Sequence, residues 1–60
     1  SNKQEHIDRL FNFKIHLFEQ DIVKNCKDED IKSSIRKAKT PIEALKHFLQ
    51  IWEESNQSTN

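Results

Sequence analysis

Three histidines, one cysteine and a short acidic run are the side chains of this 60-residue chain that could do chemistry. His6, His16 and His47 are not spaced to share one helix face, so no metal site is expected within the chain. Cys26 has no assignable base or orienting group, which a catalytic thiol requires. The acidic run 28–30 lacks the glycine and terminal glutamate of an EF-hand loop, and helix capping accounts for it. We therefore predict no enzyme activity, no cofactor, and no catalytic, cofactor-binding or metal-ligating residue.

A basic segment in the middle of the chain is the candidate for contact with phosphate groups. Its predicted contacts are Lys32, Arg36, Lys37 and Lys39. The stretch 31–49 has the outline of a helix-turn-helix, but its second helix carries no arginine and several glutamates, which suits base reading poorly. The formal net charge is zero, which argues against an interaction dominated by nucleic acid. Weak DNA binding is therefore the third alternative.

The scarcity of turn-forming residues and the helical spacing of apolar residues predict an all-α fold. Glycine is absent and Pro41 is the only proline, while apolar residues recur at steps of three and four. We expect a long helix over residues 4–26 and a break near 25–28, with Asp28 as the N-cap of a second helix. Thr40-Pro41-Ile42-Glu43 is a capping box that starts a third helix. The predicted architecture is a long helix plus a helical hairpin, in an oligomeric helical bundle.

Length and composition set the domain organisation. We expect one helical interaction and oligomerisation domain over residues 1–54 and a disordered polar tail over 55–60. A single cysteine and no signal-peptide pattern favour an intracellular location. No apolar run approaches the roughly 20 residues that span a bilayer, so no membrane partner is expected. The chain does not begin with Met, which indicates a piece of a longer protein.

The apolar residues outnumber what three short helices can bury. One stripe on each long helix is assigned to the core: Ile7, Phe11, Ile15, Phe18 and Ile22 on the first, and Ile42, Leu45, Phe48, Leu49 and Trp52 on the last. Surplus apolar surface on a small domain is usually covered by another chain. The predicted interface consists of Leu10, Phe13, Leu17, Ala44, Ile51 and Trp52; Trp52 belongs to the core stripe and is also an interface candidate because Trp is enriched at interface hot spots.

Two resemblances to known families bear on the biological setting. The short helical chain and its tail Ser-Asn-Gln-Ser-Thr-Asn resemble the C-terminal oligomerisation module of the yeast telomere-length regulator that binds the telomeric repressor-activator protein. That resemblance implies a nuclear scaffold whose last segment self-associates. The stretch 38–45 is similar to the closing helices of sugar-phosphotransferase IIA domains, but the strands and the phosphorylated histidine motif of that family are missing here.

The sequence thus predicts a non-enzymatic self-association module, forming a dimer or tetramer, that gives multivalency to a larger intracellular scaffold; the resemblance implies that this scaffold is nuclear and telomeric. Joining copies raises the effective concentration of every other binding site on the parent, with avidity gains of about 10² to 10⁴. The alternative is a heterotypic docking domain, in which the apolar surface receives a helix of another protein. Both functions need an exposed apolar strip, so the residues alone do not separate them.

Overall fold

Helices account for 84% of the residues that the structure describes. The computed structural model describes residues 2–57, and this range contains no strand. The four helices are α1 (Asn2–Phe18), α2 (Asp21–Lys24), α3 (Glu29–Lys37) and α4 (Pro41–Gln57). The all-α fold class is confirmed. The predicted number of three helices is wrong, because the first predicted helix is divided in two.

The turn between α1 and α2 allows both Leu17 and Val23 to face the core. Gln20 is extended, with φ −70° and ψ 137°, and α2 begins at the next residue. In an unbroken helix, Val23 would lie roughly 120° around the axis from Leu17. The turn removes this mismatch, and Leu17 and Val23 are 7% and 1% exposed. The predicted continuous helix over 4–26 is therefore corrected because burial of Val23 requires a turn.

The start of α3 follows the sequence prediction. Residues 25–28 lie outside the helices, so the predicted break near Asn25 is confirmed. The Asp28 carboxylate accepts hydrogen bonds from the backbone N–H groups of Asp30, at 3.1 Å, and Ile31, at 3.3 Å. Asp28 is thus the N-cap, satisfying donors that have no partner inside the helix. The cap orients α3 so that Ile35 is fully buried.

The capping box at the start of α4 is also confirmed. The Thr40 hydroxyl oxygen accepts from the Glu43 N–H at 3.1 Å. The Glu43 carboxylate accepts from the Lys39 N–H at 2.8 Å, one residue before the N-cap N–H to which a capping box usually bonds. This arrangement fixes the direction in which the chain enters α4.

The C-terminal boundary of the domain needs correction. α4 continues to Gln57, so residues 55–57 are helical and are not part of a disordered tail. The helix extends this far because its last turns lie beside the segment after α2: Ser55 is half-buried and lines a cleft with Cys26. The rest of the predicted tail, 58–60, lies outside the described residues.

The helices form a thin, elongated bundle. Leu10 of α1 and Pro41 of α4 line one cleft, and Asp28 and Ser55 line another. α1 and α4 therefore run in the same direction, and α3, which connects them, runs in the opposite direction. The radius of gyration is 12.4 Å, against about 10 Å for a compact chain of this length. The overall dimensions of 47 × 16 × 16 Å confirm that the bundle is narrow.

The core is small and includes two alanines. Its buried members come from all four helices and the α3–α4 turn: Leu17, Val23, Ile35, Ala38, Ala44 and Ile51. Several partly buried side chains pack around it: Phe13, Phe18, Ile22, Cys26, Ile31 and Phe48. Small residues let backbones approach closely, so Ala38 and Ala44 favour tight packing where they are buried.

Candidate interaction surfaces

The outer side of α4 carries an exposed apolar stripe. Its members recur at spacings of three, four and three residues: Ile42, Leu45, Leu49 and Trp52, which we call the α4 stripe. Ile42 is 80% exposed, and Leu49 and Trp52 are each nearly half exposed. Alternating steps of three and four are the spacing of a helix that packs against another helix. The α4 stripe therefore has the pattern of a helix–helix interface without a covering helix in the described chain.

Opposite charges border the α4 stripe on one flank. Lys46 and Glu53 each follow a stripe residue and lie seven positions apart, so they occupy the same side of the helix. Both side chains are exposed. Neither has an ion-pair partner within residues 2–57. Both charges thus lie beside the stripe without an ion pair in the described part of the chain.

A second apolar surface lies on α1, where the end of α3 meets it. Phe11, Ile15 and Phe18 line a cavity of about 480 Å³ together with Lys14, Glu19 and Arg36; these six residues form what we call the α1 groove. Phe11 is 64% exposed. No α4 residue lines the cavity, so the α1 groove and the α4 stripe are separate surfaces.

Two contacts hold the cations of the α1 groove in place. The Lys14 ammonium donates a hydrogen bond to the Arg36 carbonyl oxygen at 2.6 Å, which satisfies an acceptor in the last turn of α3. The Arg36 guanidinium lies over the Phe18 ring, 5.1 Å from its centroid. This cation–π geometry leaves the charge exposed at the edge of an apolar surface. The groove is therefore apolar at its base and cationic along one edge.

The predicted interface lies largely in the core of the chain itself. Leu17, Ala44 and Ile51 are buried, Phe13 is half-buried against the core, and Leu10 is half-buried. As an exposed patch, this part of the prediction is wrong. Only Trp52 of the predicted set is exposed.

The predicted core stripes are reversed in the same way. On α1, Ile7, Phe11 and Ile15 are exposed, and on α4, Ile42, Leu45 and Leu49 are exposed. Both flanks of each helix are apolar, so periodicity identifies two candidate faces without saying which is inside. One residue in the sequence did indicate the buried face of α4: the small side chain of Ala44 permits a close approach of neighbouring helices that larger side chains prevent. Phe18, Ile22 and Phe48 do pack against the core, as expected.

The four predicted phosphate contacts do not form one patch. Lys32 pairs with Glu29 at 2.9 Å, and Arg36 belongs to the α1 groove. Lys37 and Lys39 line two further, separate clefts. The described structure thus distributes these charges over different surfaces.

Neither a metal centre nor a membrane span is found in the described part of the chain. Among residues 2–57, no group of three or more His, Cys, Asp or Glu side chains is placed to hold a metal ion. None of the described helices is long and apolar enough to cross a bilayer.

Comparison with known proteins adds no family. No family model matches the chain, and searches of curated proteins and of solved structures found no match. The functional argument therefore rests on the two exposed surfaces.

Proposed function

We propose that this chain is a self-association module whose copies pair through the α4 stripe. The observation that carries the proposal is that the stripe and its flanking charges are self-complementary when two α4 helices run antiparallel. A two-fold axis makes each surface its own partner, so an interface of this kind must match itself. The α4 stripe meets this requirement.

The pairing follows from the sequence positions along α4. With Leu49 on the two-fold axis, Leu45 of one copy lies level with position 53 of the other, one residue (about 1.5 Å along the axis) from Trp52. Lys46 lies level with position 52 of the second copy, one residue from Glu53 on the same flank, and the long lysine side chain can span this offset; symmetry repeats the contact. Antiparallel helices also align their dipoles favourably. In this register the apolar and the charged contacts are thus both within reach, each offset by about one residue.

The surface area of the chain agrees with a missing partner. The accessible surface is 4891 Å², about a fifth larger than the roughly 4100 Å² typical of a compact monomer with a mass of 7.2 kDa. A stable interface typically removes about 800 Å² from each partner. Covering the α4 stripe would bring the module closer to the surface expected for its mass.

A substitution at the axis tests this function. We expect Leu49→Glu to place two carboxylates together in an apolar contact and to weaken self-association at least about 100-fold, since burying unpaired charge is costly. Light scattering after size-exclusion chromatography measures the mass. Gln50→Glu is the matched control, because it adds the same charge at the next exposed position of α4.

The control variant should keep the mass of the unmodified chain. If Leu49→Glu also keeps that mass while circular dichroism shows it folded, pairing through the α4 stripe is wrong. If both variants become monomeric, the loss reflects net charge and the stripe is again not supported.

The resemblance to the telomeric oligomerisation module supports a narrower proposal about setting. In this proposal the parent is a nuclear scaffold at telomeres, and the module multiplies its weak contacts there by avidity. Replacing residues 1–60 in the parent by an unrelated self-associating coiled coil should preserve its nuclear foci, whereas an equal-length monomeric replacement should not. Foci that survive monomeric replacement would contradict this setting for the module.

A further inference from the structure

We propose that the α1 groove binds an amphipathic helix of a different protein, one that carries Asp or Glu along one flank. This interaction is separate from self-association through the α4 stripe. The groove offers Phe11, Ile15 and Phe18 at spacings of four and three, which fits one apolar face of a helix. Its cationic edge sets the chemistry of the occupant.

Charge excludes a second α1 groove as the occupant. If two α1 helices paired antiparallel about Ile15, the two Lys14 ammonium groups would lie on the same flank near the axis. Arg36 adds another cation to that edge of each copy. Like charges placed together across a contact oppose it. The same symmetry that matches Lys46 with Glu53 on α4 therefore opposes pairing of the α1 groove with itself.

The cations are held where an acidic flank would meet them. Lys14 is tied to the Arg36 carbonyl, and the guanidinium of Arg36 rests on Phe18. Among residues 2–57 the Arg36 guanidinium donates no hydrogen bond and forms no ion pair, and guanidinium is suited to bidentate contact with carboxylate. Glu19 is the one acidic residue among those that line the groove. Its Oε1 atom lies 3.4 Å from the Nδ1 atom of His16 near the end of α1. The groove thus discriminates in favour of an acidic helix over a basic one.

Two designed peptides test the inference. Both are amphipathic helices of about 16 residues with leucine at alternating three- and four-residue steps; one has glutamate along a flank, and the other has lysine there. Fluorescence anisotropy with labelled peptide measures binding to the unmodified chain and to Leu49→Glu. We expect the acidic peptide to bind both proteins with similar affinity, and at least about tenfold more tightly than the basic peptide.

Charge-reversal variants test whether the peptide binds at the cationic edge of the α1 groove. Arg36→Glu should weaken the acidic peptide at least about tenfold and improve binding of the basic one. Lys37→Glu is the matched control: it changes charge equally on α3, but at a residue that lines a different cleft. It should change either affinity by less than about threefold, because an exposed charge in a different cleft is largely screened by solvent and salt.

Any other outcome of the peptide and variant measurements contradicts the inference. Equal affinity for both peptides, no binding of either up to millimolar concentration, or equal effects of Arg36→Glu and Lys37→Glu would each contradict it. If Ile15→Glu lowers the mass of the assembly and the acidic peptide does not bind, the occupant is a second copy of this chain. If Leu49→Glu does not weaken self-association but the acidic peptide still binds more tightly than the basic one, only the proposed function is refuted.

Discussion

The α4 stripe and the α1 groove share an apolar spacing but differ in the charges beside it. Leu45, Leu49 and Trp52 on α4 follow the same four-then-three step as the apolar residues of the groove. On α4 the flank carries one cation and one anion, whereas at the groove Lys14 and Arg36 form a cationic edge. In the two proposals apolar area supplies affinity in both places, and the flanking charges select the partner.

Among substitutions that keep the apolar residues of both surfaces, the largest effect should come from giving α4 the charge pattern of the groove. Glu53→Lys leaves two cations on the flank of the α4 stripe, and Lys46 then faces the substituted lysine of the second copy. We expect self-association to weaken at least about tenfold, because two attractive contacts per dimer become repulsive. Sedimentation equilibrium gives the dissociation constant.

The double variant Lys46→Glu with Glu53→Lys is the control for this prediction. It restores opposite charges across the two-fold axis with the order reversed, so affinity should return to within about threefold of the unmodified chain. Equal weakening in the single and double variants would show that these side chains do not face each other.

A smaller effect is expected when the fold is weakened and both surfaces are left intact. Thr40→Ala removes the acceptor for the Glu43 N–H and should lower the free energy of unfolding by about 1 kcal/mol. Thermal denaturation followed by circular dichroism measures the change. At about 10 °C, well below the transition expected of a small domain, the mass and the peptide selectivity should not change.

The matched variant for this test is Thr40→Ser, which keeps the hydroxyl acceptor and should lose less stability. Loss of assembly in folded Thr40→Ala at low temperature would mean that the surfaces and the fold are not independent.

The smallest effect concerns salt. Raising ionic strength from about 0.05 to 0.5 M should weaken α4 pairing by about twofold, because its charged contacts are exposed and supplementary. Binding of the acidic peptide to the groove should weaken more, since the cationic edge and the acidic peptide carry opposite net charges, whereas Lys46 and Glu53 leave each α4 flank neutral. Sedimentation and anisotropy series in sodium chloride compare the two. Equal salt dependence would contradict the difference between the surfaces.

Local signals in the sequence were sufficient for the helix starts. Asp28 and Thr40 cap α3 and α4 as predicted, because the hydrogen bonds of a cap join residues only two or three positions apart. The turn at Gln20 was missed because nothing in its local chemistry demands it. It exists to bury Val23, which is a tertiary requirement.

The face of each helix that turns inward was not predictable from periodicity. α1 and α4 are apolar on two flanks, and the sequence prediction assigned the stripe with more members on each helix to the core. The structure buries Ala44 and exposes Leu45, because close helix packing favours the small residue inside. The excess of apolar surface was correctly anticipated, while its position had to come from the packing.

The central claim is that copies of this chain associate through the α4 stripe. Sedimentation equilibrium of the unmodified chain from about 1 to 500 µM, beside Leu49→Glu, measures it most directly. We predict a mass that rises with concentration above the 7.2 kDa monomer for the unmodified chain and a constant monomer mass for the folded variant. A clean monomer throughout for the unmodified chain, or identical curves for the two proteins, would contradict it.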